Sequence, residues 1–195
     1  MNDSRSQILN SLRHRLPQSA PLPTMDESWI QFPDPIAQFR DSVVAVGGQT
    51  ETCKAADLAD TVGRLTVFDE SKRIVSTVDG IAGNVDLQQV ADPHDLEDVH
   101  LAIALGQFGV AENGAVWIDD HSLRHRVVLF IPQHVILVIP SRDVVHNMHE
   151  AYRRIDFAEN HFGVFISGPS KTADIEQSLV IGAHGARSMH VVLVD

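Results

Sequence analysis

The chain has 195 residues, 44% hydrophobic and 21% charged, the balance of a globular domain large enough to bury a real core. Its formal net charge of -11 excludes the clustered basic surface of a sequence-independent nucleic-acid binder. A single cysteine, Cys53, excludes an internal disulfide framework and a Cys-rich metal or iron–sulfur site.

In chain order, residues 4 to 16 read as an amphipathic helix, with Ile8, Leu9, Leu12 and Leu16 on one face and Pro17 as its stop. Its amino-terminal stretch lacks the apolar core of a signal peptide, so a cytoplasmic chain is expected. Arg13, His14 and Arg15 suit the negative end of that helix. Five prolines between Pro17 and Pro35 then mark an extended connector. Residues 1–35 thus form a helical arm that either packs on a second copy, as in a homo-oligomer, or folds back on its own domain.

Residues 36–195 form the main domain. Asp34 and Pro35 suit the cap and first residue of a helix that runs through Ile36, Phe39, Val43 and Val46 and ends at Gly47-Gly48. A short strand near 50–53, a helix over 55–65 and a strand over 73–78 follow, and the segment to Asp98 reads as loop. Strands are expected at 99–105, 115–119, 127–131 and 134–139, with "GQFGVAENG" as a tight polar connection. The apolar stretch "VVLFIPQHVILVIP", broken by Pro132 and His134, cannot span a bilayer. Ser141 is expected to cap a helix through Ile155, and the chain closes with a strand–helix–strand unit. Near-continuous apolar strands alternating with helices indicate an α/β fold with a mainly parallel sheet flanked by helices.

Ligands of open α/β sheets lie beyond the carboxyl ends of the strands, and two corners fit that place. In "SGPSKTADIE", Ser167, Gly168 and Ser170 follow a strand, Thr172 reads as a helix cap, and Asp174 lies in the first turn. The corner is a sound turn, and its exposed N–H groups are also suited to a small anionic ligand. In "GVAENGAVW", Asn113-Gly114 is a strong turn signal, and Glu112 is either an exposed turn residue or a carboxylate at the mouth of the sheet. His184 stands at a third turn between Gly182 and Gly185, where either glycine caps a helix or the imidazole lies near a ligand. His146 and His149, three residues apart, could face a metal, but no third ligand is identifiable. The phosphate-binding glycine loops, the Gly-x-Ser-x-Gly elbow and Cys-x-x-Cys are all absent from the sequence.

The stretch "SGPSKTADIEQSLVIGAHGARSMHVVLVD" closely resembles the end of the lactate utilization protein C family (LutC/YkgG), whose core is the LUD domain. "ILNSLRHRL", "GVAENGAVWI" and "VILVIPSRDVVHNMHEAYRRI" resemble earlier parts of the same pattern, most weakly between about residues 17 and 98. The resemblance implies a NagB/RpiA/CoA-transferase-like fold and a part in bacterial oxidation of L-lactate to pyruvate. It further implies that iron–sulfur partner proteins (LutA- and LutB-like) carry the electrons and that this chain binds no cluster itself. Family I CoA-transferases use the glutamate of a Ser-Glu-Asn-Gly turn as nucleophile. Ala111-Glu112-Asn113-Gly114 lacks that serine but makes Glu112 the candidate catalytic residue of an alternative, acyl-CoA-dependent reading.

Overall fold

The computed structural model describes residues 3–15, 20–21, 28–121, 123–158, 162–173 and 179–195. Helix α1 (Ser4–His14) starts where the Asp3 side chain accepts the Arg5 N–H, and it buries none of its residues. Helix α2 (Pro35–Ala45) is capped as its sequence requires, Asp34 accepting from the N–H groups of Ile36 and Ala37. Between them, residues 30–32 fold back on the chain's own domain. Asn147 donates to the Ile30 carbonyl, Gln31 donates to Glu150, and the Phe32 N–H donates to His146.

Strand β1 (Gln49–Cys53) leads through a 3-10 turn into helices α3 (Leu58–Gly63) and α4 (Thr66–Asp69). Strands β2 (Ile74–Ser76), β3 (Leu101–Leu105), β4 (Phe108–Val110), β5 (Ala115–Asp119), β6 (His134–Pro140) and β7 (Val144–Val145) follow. Helix α5 (Met148–Arg154) precedes β8 (Gly163–Ile166), β9 (Lys171–Ala173), β10 (Leu179–Ile181) and β11 (Ser188–Val194). A five-stranded sheet runs β1-β11-β6-β3-β2 with every pairing parallel. A four-stranded mixed sheet runs β7-β4-β5-β8.

Alternation along the strands sorts the side chains into layers. On β6, Ile136 and Val138 face α3 and α4, joining Val62, Leu101, Ile103 and Val192. Val135, Leu137 and Ile139 face the other way and meet Phe39 and Val43 of α2 together with Val116 and Ile118 of the mixed sheet. The outer face of the mixed sheet packs Phe108, Val110 and Trp117 against Ala151 of α5. The expected α/β fold, with its mainly parallel sheet flanked by helices and an amino-terminal helix, is what the structure shows.

Four local expectations are corrected. "GQFGVAENG" contains strand β4, because Phe108 and Val110 alternate into the outer core. Residues 126–129 form a 3-10 turn, not a strand; Val128 and Leu129 are apolar because they plug the inner core, and a short apolar run alone cannot tell the two apart. Ser141 does not cap a helix through Ile155. The β-branched pair Val144-Val145 takes the edge of the mixed sheet, and the helix starts only at Met148, where Asn147 accepts the Glu150 N–H. The helix expected after Thr172 is replaced by an antiparallel pair in which Thr172 faces Val180 across β9 and β10, so Thr172 is a strand residue and no cap. Asp174 lies outside the described residues.

Phe39 is fully buried where α2 meets both sheets. Phe39→Ala is expected to lower unfolding free energy by about 3–5 kcal/mol, read by urea denaturation. A loss under about 1 kcal/mol would contradict this packing.

Candidate functional site

The Ala111–Gly114 turn is fixed from every side. The buried Ser42 hydroxyl of α2 donates to the Ala111 carbonyl at 2.7 Å. Gly114 has φ +66, and a Cβ there would meet the Val43 nitrogen at 2.7 Å and the Ser42 carbonyl carbon at 2.8 Å, so glycine is required on both counts. Asn113 closes the turn by accepting the Ala115 N–H, and the Ser167 hydroxyl donates to the Asn113 carbonyl at 2.8 Å. The two corners singled out by sequence are therefore one connected structure. Glu112 is exposed, and its carboxylate accepts the Met148 N–H at 2.9 Å, the first free donor of α5. Its position at the positive end of that helix gives it a structural occupation.

Ser167, Gly168, Ser170, His184 and Gly185 all line one cavity of about 250 Å³. Its walls are otherwise apolar, with Phe130, Val164 and Met189 among them. Gly168, at φ +72, lies so close to α2 that a Cβ would come within 2.5 Å of the Val46 carbonyl oxygen. The Lys171 ammonium donates to that same carbonyl and ties β9 to the carboxyl end of α2. The Ser170 hydroxyl donates to the His184 carbonyl at 2.7 Å, which joins the two rims of the cavity. His184 is exposed at the mouth. Glu112, Asn113, Gly114 and Thr172 are not among the lining residues.

The location differs from the expected one. Ser167 does follow the carboxyl end of a strand, but β8 belongs to the mixed sheet. Val135 and Met189 place the cavity at the amino ends of β6 and β11 in the parallel sheet. The carboxyl ends of the parallel strands hold a different hollow of about 540 Å³. Pro140, Ser141, Arg142 and Val194 line it, and the buried Ser141 hydroxyl finds no partner among the described residues.

His146 and His149 have other occupations than a metal. His146 Nδ1 accepts the Phe32 N–H at 3.0 Å, and the His149 ring stacks on Trp29. Among the described residues no three ligating side chains converge. Glu150, in the first turn of α5, sits under its ordinary carboxylate value; burial pushes it up, but hydrogen bonds from Gln31 and the His146 N–H outweigh that.

Sequence reading missed a row of polar side chains at the amino edge of the parallel sheet. Gln49 lies opposite His190, and Ser188 opposite His134. Each pair is hydrogen-bonded, at 3.0 Å and 2.8 Å. The available signal was two histidines and a serine interrupting strand positions that are otherwise apolar. Burial lowers both imidazoles below the ordinary value, with Arg187 and His100 adding to the effect on His134 and His134 adding to that on His190.

The residues 63–194 match the family model of the LUD domain. That span covers most of the chain and both sheets except β1. The chain belongs to the LUD-domain family. It is 32% identical over 106 residues to lactate utilization protein C of Geobacillus thermodenitrificans, a match covering 51% of this chain and 44% of that protein. It is 32% identical over 117 residues to lactate utilization protein C of Shouchella clausii, covering 57% and 50%. The matched part of the LUD-domain chain thus spans about half the length of these relatives. A solved DUF162 family protein from Deinococcus radiodurans has the same fold, with TM-score 0.61 at 18% identity, covering 83% of this chain and 96% of that one. No helix among the described residues is long and apolar enough to cross a membrane.

Two outcomes follow from this geometry. Gly114→Ala combines a left-handed φ with contact against the α2 backbone, and should cost about 2 kcal/mol or more in denaturant unfolding. His134 and His190 bind protons more weakly folded than unfolded, so the unfolded chain holds more protons at mildly acidic pH and stability falls as pH drops. Melting temperature should be steady above the ordinary imidazole value of 6.5 and decline below it, with a smaller decline in His190→Asn. An unchanged slope in that variant would remove His190 as a source.

Proposed function

We propose that this LUD-domain chain is a non-redox component of a bacterial lactate-utilization system, acting in the cytoplasm beside iron–sulfur partners. The observation that carries this reading is the agreement between family membership, relatives that are named lactate utilization protein C, and a cavity walled by the Ser167–Ser170 segment that bears the family pattern. Cys53 is the chain's one cysteine and is a free thiol, whereas a cysteine-held cluster needs several thiolates. Electron transfer from lactate therefore belongs to other proteins, and this chain contributes by binding.

The cavity suits a small ligand with an apolar side and one polar end. Its apolar walls take the hydrocarbon part, and His184 and Ser167 stand where a carboxylate or hydroxyl would emerge. The expected anion-holding helix end is not available, since residues 171–173 form a strand. Placement of the fold with the NagB/RpiA/CoA-transferase group remains part of this reading. The acyl-CoA alternative rests on Glu112 alone, and the occupation of that carboxylate on α5 favours a structural role.

The test is growth on L-lactate of a bacterial host lacking its lactate utilization protein C, complemented with variants confirmed to be folded and equally abundant. Wild type and Glu112→Gln should restore growth, because Gln keeps an acceptor for the Met148 N–H. His184→Ala and Ala186→Leu, which remove the polar end and narrow the cavity, should slow it severalfold. Full growth with both cavity variants would reject the cavity, and loss of growth with a folded Glu112→Gln would restore the covalent alternative. Failure of wild type to complement would reject the lactate reading.

A further inference from the structure

A sheet edge presents unpaired N–H and C=O groups, and proteins protect such edges by shortness, charge or cover. Among the described residues, three of the four edges of the two large sheets are protected. Strand β1 carries the exposed Glu51. On β2 the Ile74 N–H donates to the Asn84 side chain, and its carbonyl accepts the N–H groups of Asn84 and Val85, so a loop covers that edge. Strand β7 is two residues long. Strand β8 has none of these devices. Residues 162–168 carry no charged side chain, and Gly163–Ile166 are only partly buried, whereas β5 beside them is buried throughout.

The backbone of β8 points its free groups outward. The Trp117 carbonyl accepts the Gln107 N–H, so the polar groups of Trp117 face β4. Phe165 lies opposite Trp117 across the antiparallel pair and therefore turns its own N–H and C=O away from β5. Gly163, two residues earlier, does the same. Neither finds a backbone partner among the described residues. Exposed aromatics flank this edge on both faces. On one, the Phe165 ring meets Tyr152, which stacks on Phe157, and these are 54% and 64% exposed. On the other, Phe162 meets Phe130, which is 45% exposed.

We propose that β8 is a dimerisation edge, pairing antiparallel with β8 of a second copy about a two-fold axis at Val164. The free groups call for a strand, and β8 is its own complement. The axis lays the N–H and C=O groups of Gly163 against those of Phe165 in the second copy, and the two mixed sheets become one. A Cβ at Gly163 would run into the Trp117 ring, so the facing Phe165 meets an aromatic surface where glycine leaves no side chain. With a net charge of -11, two copies repel over most of their surfaces. Residues 162–173, with no Asp or Glu and Lys171 as their one charge, are where they can meet. The three exposed aromatics and the strand edge bury roughly 1,000 Å² over both copies, the lower bound of a specific interface, so a micromolar Kd is expected. The contact does not depend on the lactate reading.

The test is sedimentation of the full chain from about 1 µM to about 1 mM, a range that brackets such a Kd. The mass should rise from one chain to two and stop there, because a two-fold contact closes. Phe157 is exposed, so Phe157→Asp is expected to fold. It acts twice across the axis and should weaken the dimer by about tenfold or more. Hydrogen exchange adds a readout specific to strand pairing: the Phe165 amide should be protected in concentrated wild type and exchange freely in dilute Phe157→Asp. A monomer throughout the range, growth beyond two chains, or a dimer with an unprotected Phe165 amide would each overturn the proposal.

Discussion

The buried hydrogen bond from the Ser42 hydroxyl to the Ala111 carbonyl sits where the structure's parts meet. It joins α2 to the turn between β4 and β5, and the fit of Gly114 against the same helix leaves the turn no second position. From that turn Glu112 reaches α5, and the Asn113 carbonyl receives Ser167 from the far strand of the mixed sheet. One tight loop thus positions a helix on the outer face and one rim of a cavity. Because α2 also packs between the sheets through Phe39 and Val43, the loop inherits its rigidity from the core.

Much of this was readable in the sequence, and the reasons for the rest are physical. Local chemistry announced α2: Asp34 and Pro35 open it and Gly47, at φ +89, closes it. Strands β3, β6 and β11 were legible because burial on both faces leaves long apolar runs. Only half of the mixed sheet was: β5 and β8 were expected, but Phe108-Gly109-Val110 and Val144-Val145 are too short to show a period, and only tertiary pairing makes them strands. The antiparallel pair of β9 and β10 misled for a related reason. Thr172 is as good a cap as it is a strand residue, and nothing local decides between them. Five of the ten residues proposed from sequence share one cavity, since turns that follow or precede strands gather at sheet edges. His134 and His190 escaped notice because their partners lie on neighbouring strands, 54 and 141 residues away.

The two ends of the parallel sheet are chemically unlike. The carboxyl end offers a hollow near Pro140 and Ser141. The amino end is divided by the sheet itself into an apolar cavity on one face and a polar one on the other. Both open where β6 and β11 begin, so Val135 and Met189 on one face are back to back with His134, Ser188 and His190 on the other. Strand alternation thereby gives neighbouring residues of a single strand opposite chemical surroundings.

Strand β11 lies between β1 and β6, yet it is the last strand in chain order. Synthesis therefore produces β1, β6, β3 and β2 with a gap in the middle of their sheet. During that interval the edges of β1 and β6 and the apolar faces around Leu137 and Val138 have no partner, the condition in which nascent chains associate wrongly. Closure requires Gln49 to find His190 across 141 residues, a separation that slows folding through loop entropy. The fold is completed from its centre, which makes Ser188–Val194 the strand on which the whole sheet waits.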